Sequence, residues 1–327
     1  MAYPRRLLRP FVVVGLLSTG LLSIGPGLAW ADDESIVLDL VRHGESFSNL
    51  NGIIDTVPPG AELDPTGITE ANTAAGSIFD EFDKNIAGVF TSEELRSVET
   101  AAPLATLLHI TSPLPELSGL NEIPAGVFEG QPTTSLEGIL YLLGPLSWAL
   151  GLPLVPDLGD PSINGVTFDE SFSSAIQYIY DGTVGTGVAT NDVAFSSEGA
   201  IAVWTLMNVN NPDFSVLLNE VITNQEFLPP TGQVVIEGSP GDWTLVSYDG
   251  VAVPQDPGLG TELFVDFRNL IEAPQFAGYD IYEALLTGNS TTIEAALQTG
   301  LTQVDTTLSQ FPVEVFDQIV AAFGGSI

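Results

Sequence analysis

An apolar run, Ile36, Val37, Leu38, Leu40 and Val41, broken only by Asp39, reads as a buried β-strand. A helical pattern follows over Gly67 to Phe82, with Asp64-Pro65-Thr66 at its start. Gly88 to Thr91 closes a second strand. Ser92 is the expected N-cap of a helix from Glu93 to Leu108, whose acidic first turn suits the positive end of the helix dipole. Gly119 to Gly130 is a loop. Asp192 to Ser196 reads as another short buried strand, and Gly199 to Met207 as the helix after it. Gly232 to Glu237 and Trp243 to Tyr248, separated by Gly238-Ser239-Pro240-Gly241-Asp242, predict a hairpin. After Pro257 the pattern is helical over Leu263 to Ile271, Tyr279 to Leu286, Thr291 to Ser309 and Pro312 to Phe323. Strands alternating with helices imply an α/β fold, a three-layer α/β/α sandwich on a mostly parallel sheet with a helical C-terminal extension.

Two stretches are apolar enough to raise the question of a membrane. Phe11 to Ile24 follows Arg5, Arg6 and Arg9 and precedes Ala29-Trp30-Ala31. That is the order of a cleaved signal peptide, and the run is short and glycine-containing for a span. Gly138 to Val155 carries no charge, yet Pro145, Pro153 and three glycines argue against a span. It reads as an apolar cap segment, within about 131–160. The expected organisation is a signal peptide over 1–31, a domain over 32–255 and a helical extension over 256–327. The expected location is outside the cytoplasm, secreted or in the cell envelope, with no stable membrane span after cleavage.

Charge narrows the partners. The chain has 7 Lys plus Arg against 42 Asp plus Glu, and a formal net charge of −35. Loss of residues 1–31 leaves Arg42, Lys84, Arg96 and Arg268 as cations. Such a chain repels nucleic acid and anionic membrane surfaces. With no cysteine, disulfides and thiolate metal sites are excluded. No metal or cofactor is expected, and the oligomeric state is not readable.

Against that background, Arg42 and His43 stand together at the carboxyl end of the first strand, where ligands sit in open α/β sheets. Phosphoryl transfer needs a nucleophile, positive charge around the equatorial oxygens and a proton for the leaving oxygen. A neutral His43 imidazole can be the nucleophile, a guanidinium fork fits phosphate oxygens in pairs, and Asn49 adds an uncharged donor. Arg42-His43-Gly44, with Ser46 and Asn49, resembles the R-H-G-x-[ST]-x-x-N element of the histidine phosphatase (phosphoglycerate mutase-like) superfamily. Ser92, Arg96, Thr100 and Ala101 are similar to that family's S-x-x-x-R-x-x-x-T-A segment, whose arginine also holds the phosphate. Leu120, Glu122, Gly126, Glu129 and Gly130 resemble its L-x-E-…-G-x-x-E-G loop. The resemblance implies that Glu122 is the proton donor, that Arg42, Asn49 and Arg96 hold the phosphate, and that the ligand is a phosphorylated small molecule or other phosphoester.

The resemblance covers about Ser35 to Gly250 and breaks at one place. Where the family has S-H-G-G-[AI]-I after a late strand, this chain has Ser196-Ser197-Glu198-Gly199-Ala200-Ile201. Ser197 stands at the position of the second phosphate-contacting histidine and is expected to offer one uncharged donor. One positioned donor to a developing oxyanion is worth about 10²–10³ in rate. The other histidine, His109, lies 13 residues beyond Arg96, about 20 Å along the predicted helix, and reads as a helix-end or packing residue. Two readings stand: an exported phosphomonoesterase of low activity acting through His43, and a catalytically impaired relative that binds an anionic ligand or serves as an envelope interaction protein. Mutase activity is least favoured, because it must retain and return the phosphoryl group and its glycolytic substrate is cytoplasmic.

Overall fold

The computed structural model describes residues 35–82, 85–186 and 190–322. The expected signal peptide and Lys84 lie outside them. The elements run in the order β1 (Ile36–Arg42), α1 (Phe47–Leu50), α2 (Pro65–Glu81), β2 (Ile86–Thr91), α3 (Leu95–Leu107), α4 (Leu136–Ala149), α5 (Gly165–Thr183), β3 (Asn191–Ser196), α6 (Glu198–Asn208), α7 (Phe214–Asn224), β4 (Gln233–Ser239), β5 (Asp242–Tyr248), β6 (Val251–Ala252), α8 (Leu259–Thr287) and α9 (Ser290–Ala322). Two short 3₁₀ turns, Ser118–Leu120 and Gly126–Phe128, shape the loop before α4.

The strands form one sheet in the order β2-β3-β1-β4-β5-β6. The half that carries the candidate site, β2-β3-β1, is parallel, whereas β1-β4, β4-β5 and β5-β6 are antiparallel. The sheet is therefore mixed, because the expected hairpin adds to the free side of β1 and turns the rest antiparallel. Helices cover both faces. Val41, Val89, Val193 and Phe195 pack against Ala74, Ile78 and Leu104 of α2 and α3. Leu38, Leu40 and Ala194 pack with Phe172, Ile176, Ile201 and Trp204 of α5 and α6 on the other side. Alternate residues of β1 thus face opposite layers, as a pleated strand requires. Asp39 is fully buried, and burial with Glu81 nearby pushes its carboxyl well above the usual carboxylate range.

Local chemistry explains most boundaries. Asp64 caps α2 by accepting from the Gly67 N–H at 2.8 Å, with Pro65 as first helical residue. The expected Ser92 cap is displaced. Helix α3 starts at Leu95 after Glu94, and the Ser92 hydroxyl instead donates to the Glu94 carboxylate at 2.9 Å. The four expected C-terminal helices are two, α8 and α9, which run through Pro274 and Pro312. A proline removes one ladder hydrogen bond and crowds the preceding turn. In α8, buried Ala273, Phe276 and Ala277 hold the flanking turns together.

The cap segment is α4 followed by an irregular stretch. Its inner side is anchored by Trp148, which stacks on Phe168 at 5.7 Å and donates to the Val155 carbonyl at 2.7 Å. Among the described residues no helix is long and apolar enough to cross a membrane.

Candidate active site

The site lies at the carboxyl ends of β1, β2 and β3, where the loops leave the sheet. At the end of β1 the chain must turn tightly: a Cβ at Gly44 would stand 2.8 Å from the Gly67 carbonyl oxygen. The Gly44 N–H donates to the Thr100 hydroxyl at 3.0 Å, and that hydroxyl donates to the Arg96 carbonyl at 2.6 Å. The first and second sequence motifs are thereby tied together through Gly44 and Thr100.

His43 is buried, and its Nδ1 lies 2.7 Å from the Gly44 carbonyl oxygen. A carbonyl only accepts, so Nδ1 carries the proton and Nε2 keeps its lone pair. Burial, then the guanidiniums of Arg96 and Arg42, hold the imidazole well below its ordinary pKa of 6.5. The ring is therefore neutral over the physiological range.

Arg96 is 2% exposed. Its Nη1 donates to the Asp55 carbonyl at 2.8 Å, and its Nη2 to Glu94 Oε1 at 2.9 Å and to the Ser197 hydroxyl at 3.3 Å. Glu94 is fully buried and is the hub of this cluster. Its Oε1 also accepts from the Glu122 N–H at 3.0 Å, and its Oε2 accepts from the hydroxyls of Ser92 and Ser197 at 2.9 and 3.0 Å. Four donors thus converge on this buried carboxyl, as a buried polar group requires.

Glu122 lies across the same space. Its Oε1 accepts from the Ile123 N–H at 2.8 Å and its Oε2 from the Gly199 N–H at 3.2 Å. A Cβ at Gly199 would stand 2.8 Å from Glu122 Oε1, so a glycine there lets the amino end of α6 approach the carboxyl. Burial, followed by the Glu94 charge, pushes Glu122 up to about 7. The Tyr141 hydroxyl of α4 donates to the Ile123 carbonyl at 2.5 Å and fixes the cap over this loop.

Arg42, also 2% exposed, is held through Nη1 by Glu226 at 2.9 Å, by Glu198 at 3.2 Å and by the Leu228 carbonyl. Burial pushes the Glu198 carboxyl up, while Arg42 and the Phe227 N–H oppose the rise. Asn49 belongs to the capping box of α1: its Oδ1 accepts from the Ser46 N–H at 3.2 Å, which leaves its amide nitrogen as the free donor.

Arg42, His43, Asn49, Arg96 and Glu122 all line one cleft of about 520 Å³. Five of the six expected site residues therefore converge. Ser197 stands behind Arg96, 1% exposed, with its hydroxyl engaged by Glu94 and Arg96, and is not part of the cleft wall. Sequence reading missed Glu94 and Glu226. Glu94 sits two residues before Arg96 inside the second motif, and that proximity is its only signal. Nothing local marks Glu226, because a fold that returns from α7 to Arg42 brings it in. His109 follows the C-cap of α3 with φ 58, as a helix-end residue. No group of three or more His, Asp or Glu among the described residues is arranged to hold a metal.

Residues 38–140 match the model of the histidine phosphatase superfamily, branch 1. It is similar to the PE-PGRS family protein PE_PGRS11 of Mycobacterium tuberculosis (strain ATCC 25618 / H37Rv), at 43% identity over 299 residues, 89% of this chain and 49% of that protein. The chain thus spans about half the length of this curated relative. Among solved structures, a mycobacterial glucosyl-3-phosphoglycerate phosphatase in complex with VO3 is similar at 16% identity and a TM-score of 0.49, over 65% of this chain and 98% of that one. A mutant phosphoserine phosphatase of Entamoeba histolytica in complex with phosphoserine is similar at 22% identity and a TM-score of 0.47, over 65% and 96%.

Proposed function

We propose that the protein is a phosphomonoester hydrolase that works through a phosphohistidine at His43. The observation that carries this reading is a neutral, buried imidazole with Nε2 free, in one cleft with two guanidiniums and a carboxyl whose pKa is raised to about 7. Nε2 attacks phosphorus in line, forming the N–P bond as the P–O bond to the alcohol breaks. Protonated Glu122 delivers its proton to the leaving oxygen. The Glu122 carboxylate then takes a proton from water, whose oxygen attacks phosphorus and breaks the N–P bond. Phosphate leaves, and His43 and Glu122 return to their starting states. Arg42 and Arg96 balance the charge on the transferring group. Steady-state hydrolysis of an aryl phosphate across pH 4–8 tests the reading. Turnover that requires His43 is expected, and its absence at every pH contradicts it.

The proposal includes low turnover. Ser197 supplies no second imidazole, and Glu198 and Glu226 occupy Arg42 Nη1 where a phosphate oxygen competes for it. Glu198→Gln keeps the acceptor for the Phe227 N–H and removes the charge. At pH 8 the substitution is expected to raise kcat/KM for an aryl phosphate about tenfold, equal to about 1.4 kcal/mol. The gain should shrink at pH 5, where the wild-type carboxyl binds a proton more readily. An unchanged or reduced kcat/KM counts against a competing role for Glu198. The same carboxylates favour a second reading, a catalytically impaired protein that holds an anionic ligand on Arg96 and Arg42. Equal aryl phosphate hydrolysis by wild type and His43→Ala, with retained phosphate binding, selects it.

Export belongs to the same proposal, supported by Arg5, Arg6 and Arg9, the apolar run and Ala29-Trp30-Ala31. N-terminal analysis of protein from the native host is expected to begin at Asp32. Retention of Met1 in a cytoplasmic fraction counts against it.

A further inference from the structure

The cleft is far larger than the anion floor requires. A volume of about 520 Å³ falls in the range of sites that bury a drug-sized ligand, about 300–1,000 Å³. A phosphoryl group fills only a small share of it, since one water takes about 30 Å³. Ser48, Thr56, Thr133, Thr134 and Gln225 give the rest a polar part, and its α4 and α6 side carries the apolar side chains Leu142, Pro145, Leu146, Ala202, Val203 and Leu206. None of these last six carries a hydrogen-bonding group. On α4 the polar side chain of the lining, Tyr141, already gives its hydroxyl to the Ile123 carbonyl.

The charge inventory points the same way. The described residues hold three cations, Arg42, Arg96 and Arg268. Two sit on the phosphate floor. The third, Arg268 of α8, is buried and donates to the carbonyls of Leu206 and Val209 at 2.5 and 3.3 Å. A substrate with a second anionic group, such as a phosphorylated hydroxy acid or amino acid, finds no described counter-charge and faces Glu45, Glu198 and Glu226 on the cleft lining. On α4, which lines the cleft through other residues, and in the turn after it, Leu136, Ile139, Leu143 and Leu150 are each 49–65% exposed. Isolated exposed leucines are ordinary, but four apolar side chains on one helix and its turn, beside residues that line a cleft, favour a binding surface.

We propose that the phosphomonoester taken here is that of a long hydrocarbon alcohol, with its phosphate on Arg42, His43 and Arg96 and its chain along the channel between α4 and α6. The proposal rests on the phosphatase reading and names its substrate class. Each methylene withdrawn from water contributes about 0.8 kcal/mol, or roughly fourfold in binding.

A series of alkyl phosphates from butyl to decyl, kept below micelle formation, tests it. The expected result is kcat/KM rising about three- to fourfold per methylene until the channel is full, with octyl phosphate preferred over phosphoserine and 3-phosphoglycerate. Leu142→Asn with Leu146→Asn is expected to flatten the rise. Leu301→Gln, on the exposed side of α9 away from the cleft, should leave the series as it was. A long-chain phosphomonoester in phosphatidylcholine vesicles, compared with the monomeric series, shows whether the chain is taken from a bilayer or from solution. A flat series from an active enzyme, or preference for the doubly anionic compounds, overturns the proposal and leaves the phosphatase reading standing. If no phosphomonoester turns over, the phosphatase reading fails. Calorimetric binding of octyl phosphate against inorganic phosphate then decides the channel: equal affinities overturn it, and a gain of 10²-fold or more supports it.

Discussion

His43→Ala is expected to lower kcat for any phosphomonoester by at least about 10⁴-fold, within the range of up to about 10⁶ seen when a protein nucleophile is deleted. Among the described residues the side chain makes one hydrogen bond, the local one from Nδ1 to the Gly44 carbonyl, and the strand end is held independently by the His43 N–H donating to the Ser196 carbonyl at 3.0 Å. The substitution should therefore leave the fold and the two guanidiniums in place. Inorganic phosphate should bind the variant within a few-fold of wild type while turnover disappears. Loss of both together points to collapse of the site rather than loss of the nucleophile, and thermal unfolding of the variant separates the two.

Glu122→Gln is expected to lower kcat by about 10²–10⁴-fold, the usual contribution of a positioned proton donor. The pH dependence sharpens this expectation. The donor acts in its protonated form in the first step, so wild-type kcat/KM, which reports that step, should fall as pH rises through about 7, the value to which burial and Glu94 push Glu122. On the acid side, activity should fall only where His43 takes up a proton, well below its ordinary 6.5. The optimum is thus acidic. In Glu122→Gln the alkaline limb should vanish. The loss should be larger for an alkyl phosphate than for a nitrophenyl phosphate, because an alkoxide needs the proton more. An alkaline limb that survives unchanged assigns the titration to another group, with Glu198 the first candidate.

Much of this site was legible because phosphate chemistry is local in sequence. Arg42, His43 and Asn49 share one strand-turn-helix, and Arg96 sits in the first turn of the helix after β2, so strand ends and turn residues predict their meeting. Glu122 was legible only through its motif, since 42 acids make any single choice uninformative. What lay beyond reach depends on tertiary return. Glu226 meets Arg42 across 184 positions of the chain, and Ser197 turns its hydroxyl to Glu94 across 103. In the fold, α5 passed unread although its signals were present, with an Asn164 and Thr167 capping box ahead of Phe168, Phe172, Ile176 and Ile179 on one face. The prolines of α8 and α9 misled in the opposite direction. Proline disfavours a helix interior by about 3 kcal/mol, and packing of the two long helices on each other outweighs that preference.

The central claim is a covalent phosphoryl group on His43, and the chain has only two histidines. Rapid acid-free quenching during turnover of a phosphate-labelled substrate, followed by peptide mapping, tests it most directly. The account predicts an acid-labile, alkali-stable phosphoryl group on the peptide containing His43, none on the peptide containing His109, and none at all in His43→Ala. Turnover with no such intermediate, or label persisting in His43→Ala, contradicts it.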